Sequence, residues 1–108
     1  ARAEKVTPQQ HALLLTVRGH PSYPHVSIGE VATRLQIRHH SASLLVSRGV
    51  SRGLVVTRND DIDRRRVFVS LTVEGQQILD RITIANRKEM QHLGGALFRE
   101  SLQRAFLD

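Results

Sequence analysis

The 108-residue sequence predicts a mainly α-helical fold with one small β-hairpin, an α+β domain around a single modest core. Three observations predict it. Several segments repeat apolar residues at helical spacing, most of them opened by a capping residue or closed by glycine or proline. Residues 54–71 alone change to strand-type composition around a polar turn. No apolar run approaches the roughly 18 residues of a membrane span, so the apolar residues must serve a folded interior.

Thr7-Pro8-Gln9-Gln10 reads as a helix start: Thr7 caps, Pro8 suits the first helical position, and Gln10 completes a capping box. This helix runs to about Arg18 with Leu13, Leu14 and Val17 inward; Gly19 and Pro21 stop it. Residues 20–26 follow as a loop. Ser27-Ile28-Gly29-Glu30 is a second capping box, and Ile28, Val31, Ala32 and Leu35 make one apolar stripe. After a turn through Gln36 and Ile37, a third helix begins at Arg38 or His39. Its inward stripe is Ala42, Leu45, Val46 and Gly49, with Val50 beside it. Its other face carries His40, Ser41, Leu44, Ser47, Arg48 and Ser51, and Gly53 ends it. Two short helices joined by a tight turn, the second showing small polar and basic side chains, form the helix-turn-helix pattern.

Leu54 to Arg58 reads as a strand, Asn59 to Arg64 as a turn, and Val67 to Leu71 as a second, alternating strand. A hairpin directly behind a recognition-type helix is a wing. Arg64-Arg65-Arg66 sits at or near its tip, where an exposed arginine is shaped to enter a narrow, electronegative minor groove. Thr72 caps a long helix over residues 73–93, with Ile78, Leu79, Ile82, Met90 and Leu93 on one stripe and Ile84 off it. Gly94-Gly95 breaks it, and residues 96–107 form a last helix. A winged helix-turn-helix thus spans residues 1–93, including the linking helix from about residue 73. Residues 94–108 add a C-terminal dimerisation helix, all within one compact domain. So small a protomer has little room to bury Ile84, Leu93, Leu97, Phe98, Leu102, Phe106 and Leu107 by itself. The favoured reading makes them a homodimer interface, since two-fold symmetry also suits DNA half-sites. The alternative is that the last helix folds back over its own core.

The formal net charge is +6, carried by 14 Arg against 2 Lys (Lys5 and Lys88). Arginine forks match phosphate oxygens and guanine edges, although genome base composition also enriches arginine. Placement separates the two. Between Arg34 and Arg66 stand eight Arg (34, 38, 48, 52, 58, 64, 65, 66) against Asp60, Asp61 and Asp63, a net +5. Such a patch attracts polyanions at long range. Cysteine is absent, which excludes a disulfide scaffold, a cysteine-ligated zinc and thiol redox sensing. No signal-peptide core follows Ala1-Arg2-Ala3-Glu4-Lys5, so a cytoplasmic location away from the membrane is expected.

At this point the residues resemble the MarR family (multiple antibiotic resistance regulators). Asp63-Arg64-Arg65, five residues, then Leu71-Thr72-Val73-Glu74-Gly75 match its wing signature. Arg52-Gly53-Leu54-Val55 resembles its turn between recognition helix and wing, and Leu35-x-Ile37 the turn before that helix. The likeness runs from about Val6 to Leu93 without gaps. It implies a bacterial, cytoplasmic, homodimeric DNA-binding transcriptional regulator, a repressor on a palindromic operator that a small aromatic or phenolic ligand releases. It assigns Arg65 to the minor groove and Asp63 to holding it; otherwise Asp63 simply closes the turn. It sets His39 to Arg48 in the major groove, with Ser41, Ser43 and Ser47 toward phosphates or base edges. Arg48 would reach phosphate or guanine, and Leu44 a thymine methyl. With Arg38, His39, His40, Arg58, Arg64 and Arg66 these complete the expected DNA-binding set. The chain departs from the family at Arg38, where a small hydroxyl cap is usual, at Gly49, where a leucine is usual, and at Leu44, commonly polar. Gly49 is expected to cost the helix about 1 kcal/mol. The family's first, dimerising helix has no counterpart, which reads as a truncated or a short variant.

Six histidines raise a metal site, with His20 and His25 in one loop and His39 and His40 adjacent. Adjacent helical positions point about 100° apart, and no carboxylate stands at ligand spacing, so no metal is expected. Ser41 beside His40 lacks a nucleophile elbow, and no phosphate-binding glycine loop is present, so neither catalysis nor a cofactor is expected. The remaining rival is a winged helix that docks protein instead of DNA. Arg64-Arg65-Arg66 argues against it, because a protein-docking wing has no need of such a triplet.

Overall fold

A computed structural model describes residues 6–82. Six elements are followed by a helix that opens at residue 73 and is described as far as residue 82. They are α1 (Pro8–Arg18), β1 (Val26–Ser27), α2 (Ile28–Leu35), α3 (His39–Ser51), β2 (Val55–Asn59), β3 (Val67–Leu71) and α4 (73–82). The dimer residues Ile84, Leu93, Leu97, Phe98, Leu102, Phe106 and Leu107, and the last helix, lie outside the described residues.

α1 and α2 start where a capping side chain satisfies a free backbone N–H group. The Gln10 N–H donates to Thr7 Oγ1 at 3.1 Å. The reciprocal half of the expected capping box does not form. The Gln10 side chain is only 2% exposed and points inward, its Nε2 donating to the Leu45 carbonyl at 3.0 Å. A buried amide gains more from that bond across the core than from a solvated N-terminus. The second box forms in full: the Glu30 N–H donates to Ser27 Oγ (3.1 Å) and the Ser27 N–H to Glu30 Oε1 (2.9 Å). Gln36 closes α2 in the left-handed conformation (φ 57°). Gly53, at φ 73°, turns the chain from α3 toward β2, a conformation in which a Cβ is strained.

The sheet has three strands in the order β1-β3-β2, all antiparallel. The added strand, β1, pairs Val26 with Val69 and Ser27 with Phe68. The sequence reads this segment as the end of a loop, because two residues are too short to show alternation. β2 runs one residue later than expected. Leu54 stays outside the strand, its N–H donating to the Gly49 carbonyl (2.9 Å) and its carbonyl accepting from the Thr72 N–H (3.0 Å).

The core joins α1, α2, α3, the sheet and α4 through Leu13, Leu14, Val17, Val26, Val31, Val46, Leu54, Val55, Val69 and Ile78. The expected stripe of α3 is buried (Ala42, Leu45, Val46, Gly49), but Val50 beside it faces solvent. Two glycines set close approaches. A Cβ on Gly49 would stand 3.0 Å from Gln10 Oε1, 3.0 Å from Val55 Cγ2 and 3.3 Å from Leu13 Cδ2, so α1 and β2 close directly onto α3. A Cβ on Gly75 would run into the Leu54 carbonyl. That contact gives the glycine of Leu71-Thr72-x-x-Gly75 its reason, since α4 starts against the α3–β2 turn. Thr72 completes the joint, its hydroxyl accepting from the Gly75 N–H (2.9 Å) and lying 2.7 Å from the Gly53 carbonyl.

Candidate nucleic-acid interface

α3 presents one continuous polar face. His39, His40, Ser41, Ser47 and Arg48 are exposed along it, and Arg38 is exposed just before it. Leu44 stands in the middle of that face at 45% exposure, an apolar contact among polar ones. Ser43 is half-buried, at the margin of the face rather than its centre. Arg38 is the N-cap residue and makes no side-chain cap bond, as the missing hydroxyl implies. The free N–H groups of this N-terminus and the basic Arg48 in the last turn both suit phosphate oxygens.

The wing is held in shape by its own side chains. The Asp60 N–H donates to the Arg66 carbonyl (2.9 Å) and the Arg66 N–H to the Asp63 carbonyl (2.9 Å), closing the loop between β2 and β3. The Ile62 N–H donates to Asp60 Oδ1 (3.0 Å), and Asn59 Nδ2 to the Arg64 carbonyl (2.6 Å). Asp63 Oδ1 accepts both the backbone N–H and the Nε–H of Arg65, each at 3.2 Å. Arg65 is thereby oriented while its side chain stays 92% exposed. Asp63 thus closes the turn and also bonds the Arg65 side chain. Arg64 is exposed in the same loop.

Arg66 and Arg58 are placed differently from Arg65. Their guanidinium groups lie over the Phe68 ring, 5.3 and 5.6 Å from its centroid, and the edge of His25 approaches that ring at 5.4 Å. Arg66 Nη2 also stands 3.7 Å from Glu30 Oε1, the atom that caps α2. His20 Nε2 approaches the other oxygen of Glu30 at 3.8 Å. The Ser27 N–H is the chief reason the Glu30 carboxyl lies below the ordinary carboxylate range. The Ser27 side chain, His20 and Arg66 add to it, against the opposing pull of burial. Sequence reasoning missed Glu30 and Phe68 as partners of the wing, because nothing in their local pattern reveals a contact so far along the chain.

Between the start of α2, the start of α3 and the wing lies an open cleft of about 400 Å³, lined in part by Ser27, Gly29, His39, Asp63, Arg65 and Arg66. The structure therefore brings His39, Asp63, Arg65 and Arg66 to one concave edge, with the rest of α3 continuing from it. Among the described residues no three His, Asp or Glu converge as metal ligands, and no helix is long and apolar enough to cross a membrane.

Residues 5–66 match the MarR family. The chain is 28% identical over 104 residues to the HTH-type transcriptional repressor MdtR of Bacillus subtilis, covering 94% of this chain and 64% of that protein. It is 31% identical over 90 residues to the transcriptional regulator HosA of Escherichia coli O111:H-, covering 82% of this chain and 64% of HosA. The chain thus spans 64% of the length of each of these curated relatives. Among solved structures, the crystal structure of the S. aureus MepR–DNA complex aligns with a TM-score of 0.75 at 22% identity, over 94% of this chain and 75% of that one, a likeness of fold. With the family match covering more than half of its residues and the winged helix-turn-helix fold in place, this chain belongs to the MarR family.

Proposed function

We propose that this chain binds duplex DNA at a specific sequence and regulates transcription, reading the major groove with α3 and the minor groove with the wing. The observation that carries the reading is the pairing of Arg65 with Asp63. A fully solvated arginine held by a neighbouring carboxylate at a braced hairpin tip is pre-oriented for a narrow, negative groove. Ser41, Leu44, Ser47 and Arg48 then face base edges, and Arg38, His39, His40, Ser43, Arg58 and Arg64 surround them with groups suited to the backbone. The chain acts as a homodimer on a palindromic operator, with its recognition helices about 34 Å apart, one turn of DNA. It represses, as the name of its relative MdtR says of that protein, and a small aromatic or phenolic ligand releases it.

The test is selection from a pool of mixed-sequence duplex DNA at two salt concentrations. Enrichment of a palindrome, with affinity falling steeply as salt rises, supports the reading. Retention of no duplex at either salt overturns it and leaves the protein-docking winged helix in its place.

A further inference from the structure

Glu30 and Arg66 belong to a closed circuit of contacts. Ser27 pairs with Phe68 across β1 and β3. The same Ser27 is the N-cap of α2 and bonds Glu30 in both directions. Glu30 faces Arg66 at 3.7 Å, and Arg66 returns over the Phe68 ring at 5.3 Å. Arg66 is thus shared between a carboxylate and an aromatic face, one residue from the solvated Arg65. Its side chain is still 48% exposed, so a phosphate can compete for it.

We infer that Glu30 is a specificity-determining positioning residue of the DNA interface, holding Arg66 where the wing loop joins β3 and away from indiscriminate phosphate contact. The inference rests on the DNA-binding reading above. An exposed arginine at a protein–DNA margin adds affinity for any sequence, because phosphate contacts carry no base information. Held by Glu30, the same arginine braces the wing against α2, so that Arg65 and α3 meet their two grooves in one register. Glu30 therefore lowers binding to arbitrary DNA while keeping the geometry that an operator rewards.

Glu30→Gln isolates this role, since an amide oxygen still accepts the Ser27 N–H while the charge is gone. Equilibrium binding is measured for the selected palindrome and for a mixed-sequence duplex, across a salt series. One phosphate contact changes the slope of log K against log salt by about 0.9, which near 0.1 M salt is about 8-fold in affinity. Glu30→Gln is expected to tighten mixed-sequence binding by about that factor per protomer, steepen the slope by about 0.9, and lower the palindrome-to-mixed ratio. Thermal melting checks that the variant folds. In an Arg66→Ala background Glu30→Gln is expected to change nothing further, and Asp80→Asn, an equal charge change on α4, leaves the ratio alone. An unaltered ratio in Glu30→Gln overturns the inference, as does the same shift in the Arg66→Ala background or in Asp80→Asn. Failure of the unsubstituted chain to bind any duplex overturns the DNA-binding reading itself, and is distinguished by appearing before any substitution is made.

Discussion

Replacing Gly49 by leucine is expected to destabilise this chain rather than help it. Glycine in a helix interior costs about 1 kcal/mol relative to alanine, so propensity alone favours replacement. Packing opposes it. Even the first added carbon would lie 3.0 Å from Gln10 Oε1 and Val55 Cγ2, and 3.3 Å from Leu13 Cδ2. Comfortable carbon contacts are about 3.5–4.0 Å, so these three neighbours must retreat by a few tenths of an ångström. Overpacking of this kind costs about 1–3 kcal/mol, which places Gly49→Ala between about neutral and 2 kcal/mol destabilising. Leucine adds three more carbons where Leu13 and Leu14 are already fully buried. It would also drive Gln10 from its bond to the Leu45 carbonyl, leaving a buried polar group unsatisfied at about 1–3 kcal/mol. The expected loss is therefore about 3–5 kcal/mol, a large share of a small domain's stability. Urea unfolding followed by far-UV circular dichroism measures it. Gln10→Ala in the same chain is expected to restore at least about 1 kcal/mol beyond additivity, because the two positions compete for one space. A Gly49→Leu variant as stable as the parent would refute the argument that α1 and α3 meet at this glycine.

Arg65→Ala is expected to weaken palindrome binding by about 1–3 kcal/mol with little change in melting, because the exposed pair with Asp63 adds little to the fold. Unchanged affinity in fluorescence anisotropy would remove Arg65 from the minor groove. Gly75→Ala gains about 1 kcal/mol of helix propensity but meets the Leu54 carbonyl, which the Thr72 N–H holds in place, and a net loss of about 1–2 kcal/mol is expected in urea unfolding. A gain would mean that α4 can slide away from the α3–β2 turn. Burial holds the His11 imidazole below its ordinary value of 6.5, so the unfolded chain takes up the proton first on acidification. Its stabilising effect is complete above that value and is lost as the pH falls through the lower, folded value. Melting temperature is therefore expected to decline as the pH falls through and below 6.5, and His11→Gln to flatten that decline; parallel profiles would exclude His11 as the cause.

Much of the interface was legible because its signals are local. Ser27 and Glu30 are three residues apart, and their capping box forms as written. Asp63 and Arg65 are two apart, and their bond can form within one turn of chain. The polar face of α3 follows from helical periodicity, since Ala42, Leu45, Val46 and Gly49 must face the core if the rest are to face solvent. The same reasoning failed at Gln10, where a local capping pattern competed with a partner 35 residues away and lost.

By itself, then, the sequence determined the helices of the described residues, the hairpin, the arginine at the wing tip and the family signature, all set by residues within a few positions of one another. Only the tertiary structure decided what those pieces touch. It added β1 by pairing Val26 with Val69, and tied the Leu71 N–H to the Tyr23 hydroxyl across 48 residues. It gave Glu30 and Phe68 a role in holding Arg66, and it turned Gly49 from a weak helix position into the point where α1 and β2 close on α3. The physical reason is that periodicity and capping act along a few residues of chain. Close packing instead depends on the shapes of side chains that meet only when distant segments are brought together.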